Sequence, residues 1–246
     1  GNLYKVNNQT IVTTAKDMKI RDVVALMSFN EVSVEPYSYR KQINSIYGAV
    51  NLGWKHMLYF DATLRGDQSS TLPISNNMYI YPSFSGSFVF SELLKLGDKL
   101  PYGKVRMSWA QVGSDTDPYQ LGLVYTKSKF AYPGYTIGYI SNGTIPNKDL
   151  KPTKTNSFEM GLELKFLKNR IGLDFTYYSQ LSKNQIMGMA SSSTSGYGYR
   201  LINAGEIENK GVEIALNTRP IQTKDFSWDL NFNFSKNSNK VKKLVD

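Results

Sequence analysis

Few residues in this chain could do covalent chemistry. It contains one histidine, His56, and no cysteine, so thiol nucleophiles, zinc–thiolate sites and multi-histidine metal sites are excluded by count. His56 would have to be the base of any Ser-His-Asp constellation, yet it falls in the tight turn Lys55-His56, away from the long connections. Glu159 and Glu163 share one face of an extended segment, about 13 Å apart at the strand rise, beyond the ~5–10 Å of glycosidase carboxylate pairs. Asp115-x-Asp117 offers two hard oxygens in a polar loop, without the other ligands of a calcium loop. The chain reads as a non-enzyme with no catalytic residue, no cofactor and no metal.

The long connections do carry tyrosine. Tyr119, Tyr125, Tyr132, Tyr135 and Tyr139 fall in one, Tyr197 and Tyr199 in another. Tyrosine supplies rigid flat area with a hydrogen-bonding tip, suited to stacking on sugar rings, to gripping a protein partner, or to packing a loop on itself. These seven are the candidate substrate or partner contacts.

Elements of one kind must position them. The 246 residues are 41% hydrophobic, with 17 Tyr, 12 Phe and 19 Gly, a mixture that favours strands and turns. The net charge of +9 is scattered through short turns, with only Lys240, Lys242 and Lys243 close together, so no nucleic-acid footprint is expected. The longest apolar run, 23–27, is far short of the ~20 residues of a spanning helix.

Period-two alternation recurs in eight segments. Ile46, Val50, Leu52 and Trp54 precede Leu58, Phe60, Ala62 and Leu64. Phe84, Gly86, Phe88 and Phe90 follow, then Val105, Met107 and Trp109. A hairpin pairs Phe158, Met160, Leu162, Leu164 and Phe166 with Ile171, Leu173, Phe175 and Tyr177. Val212, Ile214 and Leu216 precede Trp228, Leu230, Phe232 and Phe234. The apolar faces hold about 35 positions, where the chain-wide charged fraction of 20% would place about seven charges, and none occurs.

Alternation fits two architectures: a soluble secreted β-sandwich, acting as a carbohydrate-binding or adhesion module, or an outer-membrane barrel. The connections favour the barrel. Short turns at 55–56, 167–169 and 220–226 alternate with long polar loops at 66–80, 113–156 and 181–210, and the 91–101 connection is intermediate. Aromatics near segment ends (Trp54, Tyr81, Phe158, Phe166, Tyr177, Trp228) suit interfacial girdles. The opposite face carries Arg65, Arg106, Glu159, Glu163, Lys165, Asp174, Tyr178 and Glu213, which would crowd an eight-stranded barrel and call for a wider, wet lumen. The fold class expected is all-β: an antiparallel transmembrane β-barrel, here about 8–9 strands of a larger one. Residues 1–42 read as a loop with one preceding strand, at 31–39 and broken by Pro36, and residues 43–246 as the barrel segment.

From residue 43 onward the sequence resembles a known family. The resemblance is carried by Ser45-Ile46-Tyr47-Gly48, Leu64-Arg65-Gly66-Asp67 and Ser69-Ser70-Thr71-Leu72-Pro73. It continues in Arg106-Met107-Ser108-Trp109-Ala110, Asp115-Thr116-Asp117-Pro118-Tyr119 and Leu150-Lys151-Pro152. Asn203-Ala204-Gly205, Asn209-Lys210-Gly211-Val212-Glu213 and Phe234-Ser235-Lys236-Asn237 complete the series. In this order the motifs are similar to SusC/RagA-type TonB-dependent outer-membrane transporters of Bacteroidota, although that pattern often has Trp where Gln68 stands and Glu where Thr153 stands. The resemblance implies a 22-stranded barrel in outer-membrane lipid, an N-terminal plug and TonB-contacting segment absent from this chain, and a SusD-like lipoprotein lid. It also implies uptake of glycans or oligopeptides.

Overall fold

The alternating segments join into one sheet. The computed structural model describes residues 1–95, 97–127, 135, 138–140 and 143–244. Its strands are β1 (Asn2–Met18), β2 (Phe29–Trp54), β3 (Leu58–Ser69), β4 (Met78–Val89), β5 (Tyr102–Ser114), β6 (Tyr125–Lys127), β7 (Gly138–Ile140), β8 (Thr144–Ile145), β9 (Thr153–Phe166), β10 (Ile171–Ala190), β11 (Tyr199–Gln222) and β12 (Ser227–Lys243). The sheet order is β1-β2-β3-β4-β5-β9-β10-β11-β12 with every neighbouring pair antiparallel, and β8 adds in parallel to β11.

Turn chemistry sets the two ends apart. Lys55 and His56 are both left-handed, at φ 49° and 54°, as are Leu167, Lys168 and Asn169. Consecutive positive φ values match the twist of adjacent strands and allow tight hairpins. The third short turn closes through the Thr223 N–H to the Phe226 carbonyl at 2.8 Å. The 90–101 connection lies at the same end and holds a one-turn helix, Phe90–Leu94. All the long connections leave from the other end.

Register keeps the apolar residues together. One rung runs Trp54, Leu58, Phe88, Val105, Leu162, Phe175, Ile214, Phe234 across eight strands, every member apolar. It starts at the turn end of the apolar run on β2 and finishes at the loop end of the run on β12. The sheet is therefore staggered by about one residue per strand, as tilted barrel strands require. From Met78 to Phe88 the apolar run on β4 rises about 34 Å along the strand and about 25 Å along the normal at a ~45° tilt, the height of a lipid-facing band. Among the described residues no second layer covers this face: Ile46 is 73% exposed and Leu52 60% exposed. That observation separates the barrel from a sandwich, whose apolar faces seal against each other.

Three expectations are corrected. The 1–42 region holds two strands rather than a loop and one broken strand: β1 pairs with β2 from Asn2↔Ser45 to Met18↔Phe29, and β2 passes unbroken through Pro36 opposite Ile11. The β2–β3 ladder stops at Ile43↔Ser69, so near Pro36 one edge of β2 is open and a residue without an N–H is tolerated. The 181–210 connection is also mostly strand, because β10 and β11 pair from Ile171↔Thr218 up to Ala190↔Tyr199. Outside the band both stretches mix apolar and polar residues without a sustained period of two, which is why alternation does not reveal them. Tyr81 is corrected as well: it lies on the polar face, not in an interfacial girdle.

Ala62 lies mid-band between Val50 and Phe84. In the full-length barrel, Ala62→Arg is expected to cost roughly 2–4 kcal/mol in urea titrations of folding into lipid vesicles. Ala49→Arg, on the polar face opposite Thr63, should cost under about 1 kcal/mol, and equal penalties would refute the facing.

Candidate functional site: the polar face and its mouth

Charge on the polar face is cross-braced between strands. The Arg106 guanidinium on β5 donates from Nη1 and Nη2 to both Asp174 oxygens on β10, at 3.1 and 3.0 Å, and from Nη2 to Thr176 Oγ1 at 2.6 Å. It reaches them by lying across Gly161 of the intervening β9, where any Cβ would collide with it. Glu159 stands at 4.0 Å from the same arginine. Next to this brace, Lys165 is 3.9 Å from Glu163 and its ammonium sits 5.0 Å from the Tyr102 ring centre. Tyr178 uses a similar slot, packing over Gly211.

A second brace spans β2, β3 and β4. Arg65 donates from Nε to Asp67 at 2.9 Å and from Nη2 to Ser45 Oγ at 2.9 Å, and the Tyr81 hydroxyl donates to Asp67. Nearer the turns, Asn51 and Ser85 both donate to Asp61. Register thus places Arg65, Arg106, Glu159, Glu163, Lys165, Asp174, Tyr178 and Glu213 all on the face opposite the apolar rungs.

At the loop end, the connection after β5 folds back over this face. Asp115 accepts from Lys41 Nζ at 2.6 Å, from Ser69 Oγ, and from Thr71 Oγ1 at 3.2 Å. The Tyr39 hydroxyl donates to Asp117 at 3.2 Å; burial, then this hydrogen bond, pushes the phenol above the ordinary tyrosine range. The Asp115-x-Asp117 pair therefore works as a clamp between distant strands. Beneath it lies a small core of Leu72, Tyr79 and the fully buried Leu150, flanked by Tyr81, Leu121, Ile186 and Leu201. Asn203 fixes the end of the connection, donating to the Lys151 carbonyl and accepting from the Lys151 N–H, both at 2.7 Å. Type and spacing do not mark Lys41, Leu150 or Asn203 as site residues, nor Asp115 as a clamp; the motifs Asp115-x-Asp117, Leu150-Lys151-Pro152 and Asn203-Ala204-Gly205 are the signal for the last three, and Lys41 has none.

The candidate tyrosines divide. Tyr119 and Tyr199 line one cleft of about 360 Å³ with Gln120, Thr144 and Leu201. Tyr119 is left-handed at φ 67°, uncommon for a bulky residue, and its hydroxyl accepts from the Arg40 N–H at 3.1 Å. Tyr125 and Tyr139 belong to the separate antiparallel pair of β6 and β7, where both are exposed, as is Tyr135. Tyr197 is half-buried in the β10–β11 connection. Tyr132 lies outside the described residues.

Gly161→Val should displace Arg106 from Asp174, and the Gly161→Val/Arg106→Ala double variant should then be no less heat-stable than Gly161→Val alone, a non-additivity readable by thermal melting of the full-length barrel. Leu150→Ala should speed hydrogen exchange across 143–152, in keeping with a core loss of about 2–5 kcal/mol; unchanged exchange would refute the packed mouth.

Comparison with known proteins agrees with this geometry. The family model described as TonB dependent receptor-like, β-barrel, matches residues 7–244. The chain is 29% identical to TonB-dependent receptor P3 of Formosa agariphila, over 98% of this chain and 25% of that protein. It is 30% identical to TonB-dependent receptor SusC of Bacteroides thetaiotaomicron, over 85% of this chain and 22% of that protein. In fold it is similar to a chain of the RagAB peptide transporter, with a TM-score of 0.86 at 22% identity over 98% of this chain and 27% of that one. The chain spans about a quarter of the length of the curated relatives it matches. The family is one of outer-membrane transporters rather than enzymes. A sheet with one lipid-facing side, one charged and braced side and asymmetric connections is what that family builds, and this chain belongs to it, as a SusC/RagA-like stretch of a TonB-dependent receptor β-barrel.

Proposed function

We propose that this chain is part of the wall and mouth of a TonB-energised importer of a bulky nutrient, a glycan or an oligopeptide, closed from outside by a SusD-like lipoprotein lid. The observation that carries the reading is the pair of arginine braces on the polar face. Arg65 and Arg106 are held by carboxylates, so the wall keeps a fixed, charged and hydrated surface that a hydrophilic cargo can pass without leaving water. On this reading, Arg65, Arg106, Glu159, Glu163, Lys165, Asp174, Tyr178 and Glu213 line the conduit. The loop tyrosines Tyr119, Tyr125, Tyr132, Tyr135, Tyr139, Tyr197 and Tyr199 meet cargo or lid. TonB acts through the plug-bearing part of the whole protein. Transport needs no covalent step: capture by loops and lid precedes passage once the plug moves.

The test uses the full-length gene in its host. Growth on a panel of oligosaccharides and oligopeptides should be lost for at least one bulky nutrient when the gene is deleted, and equally when TonB is deleted or the proton gradient is dissipated. Uptake that persists without TonB, or loss confined to small solutes, would overturn the proposal.

A further inference from the structure

We infer that the tip of the β1–β2 hairpin, residues 20–27, is a docking element for the lid lipoprotein, seated in an apolar pocket of that partner. The inference rests on the lidded-importer reading above. Past Ile43, where β3 ends, β2 pairs with β1 alone as far as Met18↔Phe29. That is a two-stranded ribbon of about 45 Å at ~3.3 Å per residue. Such a ribbon is marginal in water by itself, yet this one is anchored at its root: Lys41 to Asp115, Tyr39 to Asp117, the Arg40 N–H to Tyr119, and the Gln42 N–H to Ser70 Oγ. Tyr39 and Lys41 share the strand parity of Ser45 and Tyr47, so the anchoring is on the polar face. The ribbon is a continuation of the wall around the mouth.

Its tip is a constructed turn. The Lys19 N–H donates to the Ser28 carbonyl at 2.7 Å, and the Ser28 N–H to the Ala25 carbonyl at 2.8 Å. Asp22 takes a left-handed conformation at φ 66°, and Ser28 is buried beneath. What this turn displays is apolar: Val24 is 90% exposed, Met27 84%, Leu26 56% and Ile20 51%. Turns facing water favour Gly, Asn, Asp, Ser and Pro, whereas a cluster of exposed aliphatic and methionine side chains beside Arg21 and Asp22 has the composition of an interface core with a polar rim.

The ribbon's length decides the occupant. Tens of ångströms beyond the apolar band, the tip cannot reach hydrocarbon. A second copy packed barrel to barrel would meet the apolar rungs, whereas a protein that covers the mouth meets the rim where this tip stands. Val24 and Met27 are its two outermost anchors.

The test is co-purification of the lid lipoprotein with the tagged full-length transporter from outer membranes. Wild type and Val24→Ile/Met27→Leu should recover the lid. Val24→Asp/Met27→Asp should recover at least tenfold less, with the same heat-modifiable migration of the barrel; Val24→Ser alone, a milder change, should lower recovery in the same direction. Full recovery of the lid by both polar variants would overturn the inference, as would loss of self-association on native gels with lid recovery unchanged, which would make a second copy the occupant. A wild-type transporter that recovers no lid would instead overturn the lidded-importer reading.

Discussion

Hydrocarbon offers a peptide group no hydrogen-bond partner, and the rest of this structure depends on that. Every N–H and C=O in the bilayer must be met by another strand, so the sheet is continuous across its nine neighbours and the connections are pushed to its two ends. Within the apolar band one edge of β2 and one edge of β12 are unpaired among the described residues, because β1 joins β2 only from Ser45 outward. In the membrane they must be met by further strands, which agrees with a chain that matches only about a quarter of its relatives. The same constraint sorts the side chains: with the backbone ladder obligatory, alternate residues face lipid or water with no intermediate choice.

The polar face shows how charge is kept close to lipid without being left unpaired. A guanidinium of fixed length must cross a whole strand to brace β5 to β10, and glycine at position 161 makes that crossing possible. Gly211 under Tyr178 repeats the device on this face, and Gly103, opposite Leu164 on the apolar side, repeats it under Phe90. Glycine in a strand is ordinarily a loss of packing. Here each large neighbour fills the vacancy and gains a fixed orientation from it.

Outside the band water is present, and the logic changes. Strands there need no continuous apolar face: polar residues fall on both sides of the upper parts of β2, β10 and β11, and their direction is set by a few tertiary contacts. Asn184 and Gly205, both left-handed at φ 55° and 83°, face each other just above the end of β9, where the β10–β11 hairpin departs from the barrel. Lower on this hairpin, between Gly205 and the band, Glu208 sits between Lys242 and Lys210 at 3.1 and 3.5 Å. The Lys242 hydrogen bond above all holds this carboxyl below its ordinary range. A small core around Leu150 then holds the long connection against the wall, so the mouth has a packed structure of its own.

By itself the sequence determined the membrane-spanning part: which segments are strands, which side of each meets lipid, and which end carries the loops. Those properties follow from alternation and turn residues, both local along the chain, so Trp54, Leu58 and Lys55-His56 announce them directly. Only the tertiary structure decided what lies outside the band. Strands without alternation, such as β1, leave no periodic trace. The partnership of Lys41 with Asp115, the slot of Gly161 beneath Arg106 and the meeting of Tyr119 with Tyr199 join residues far apart in the chain, and they come together only through register and the path of one long connection.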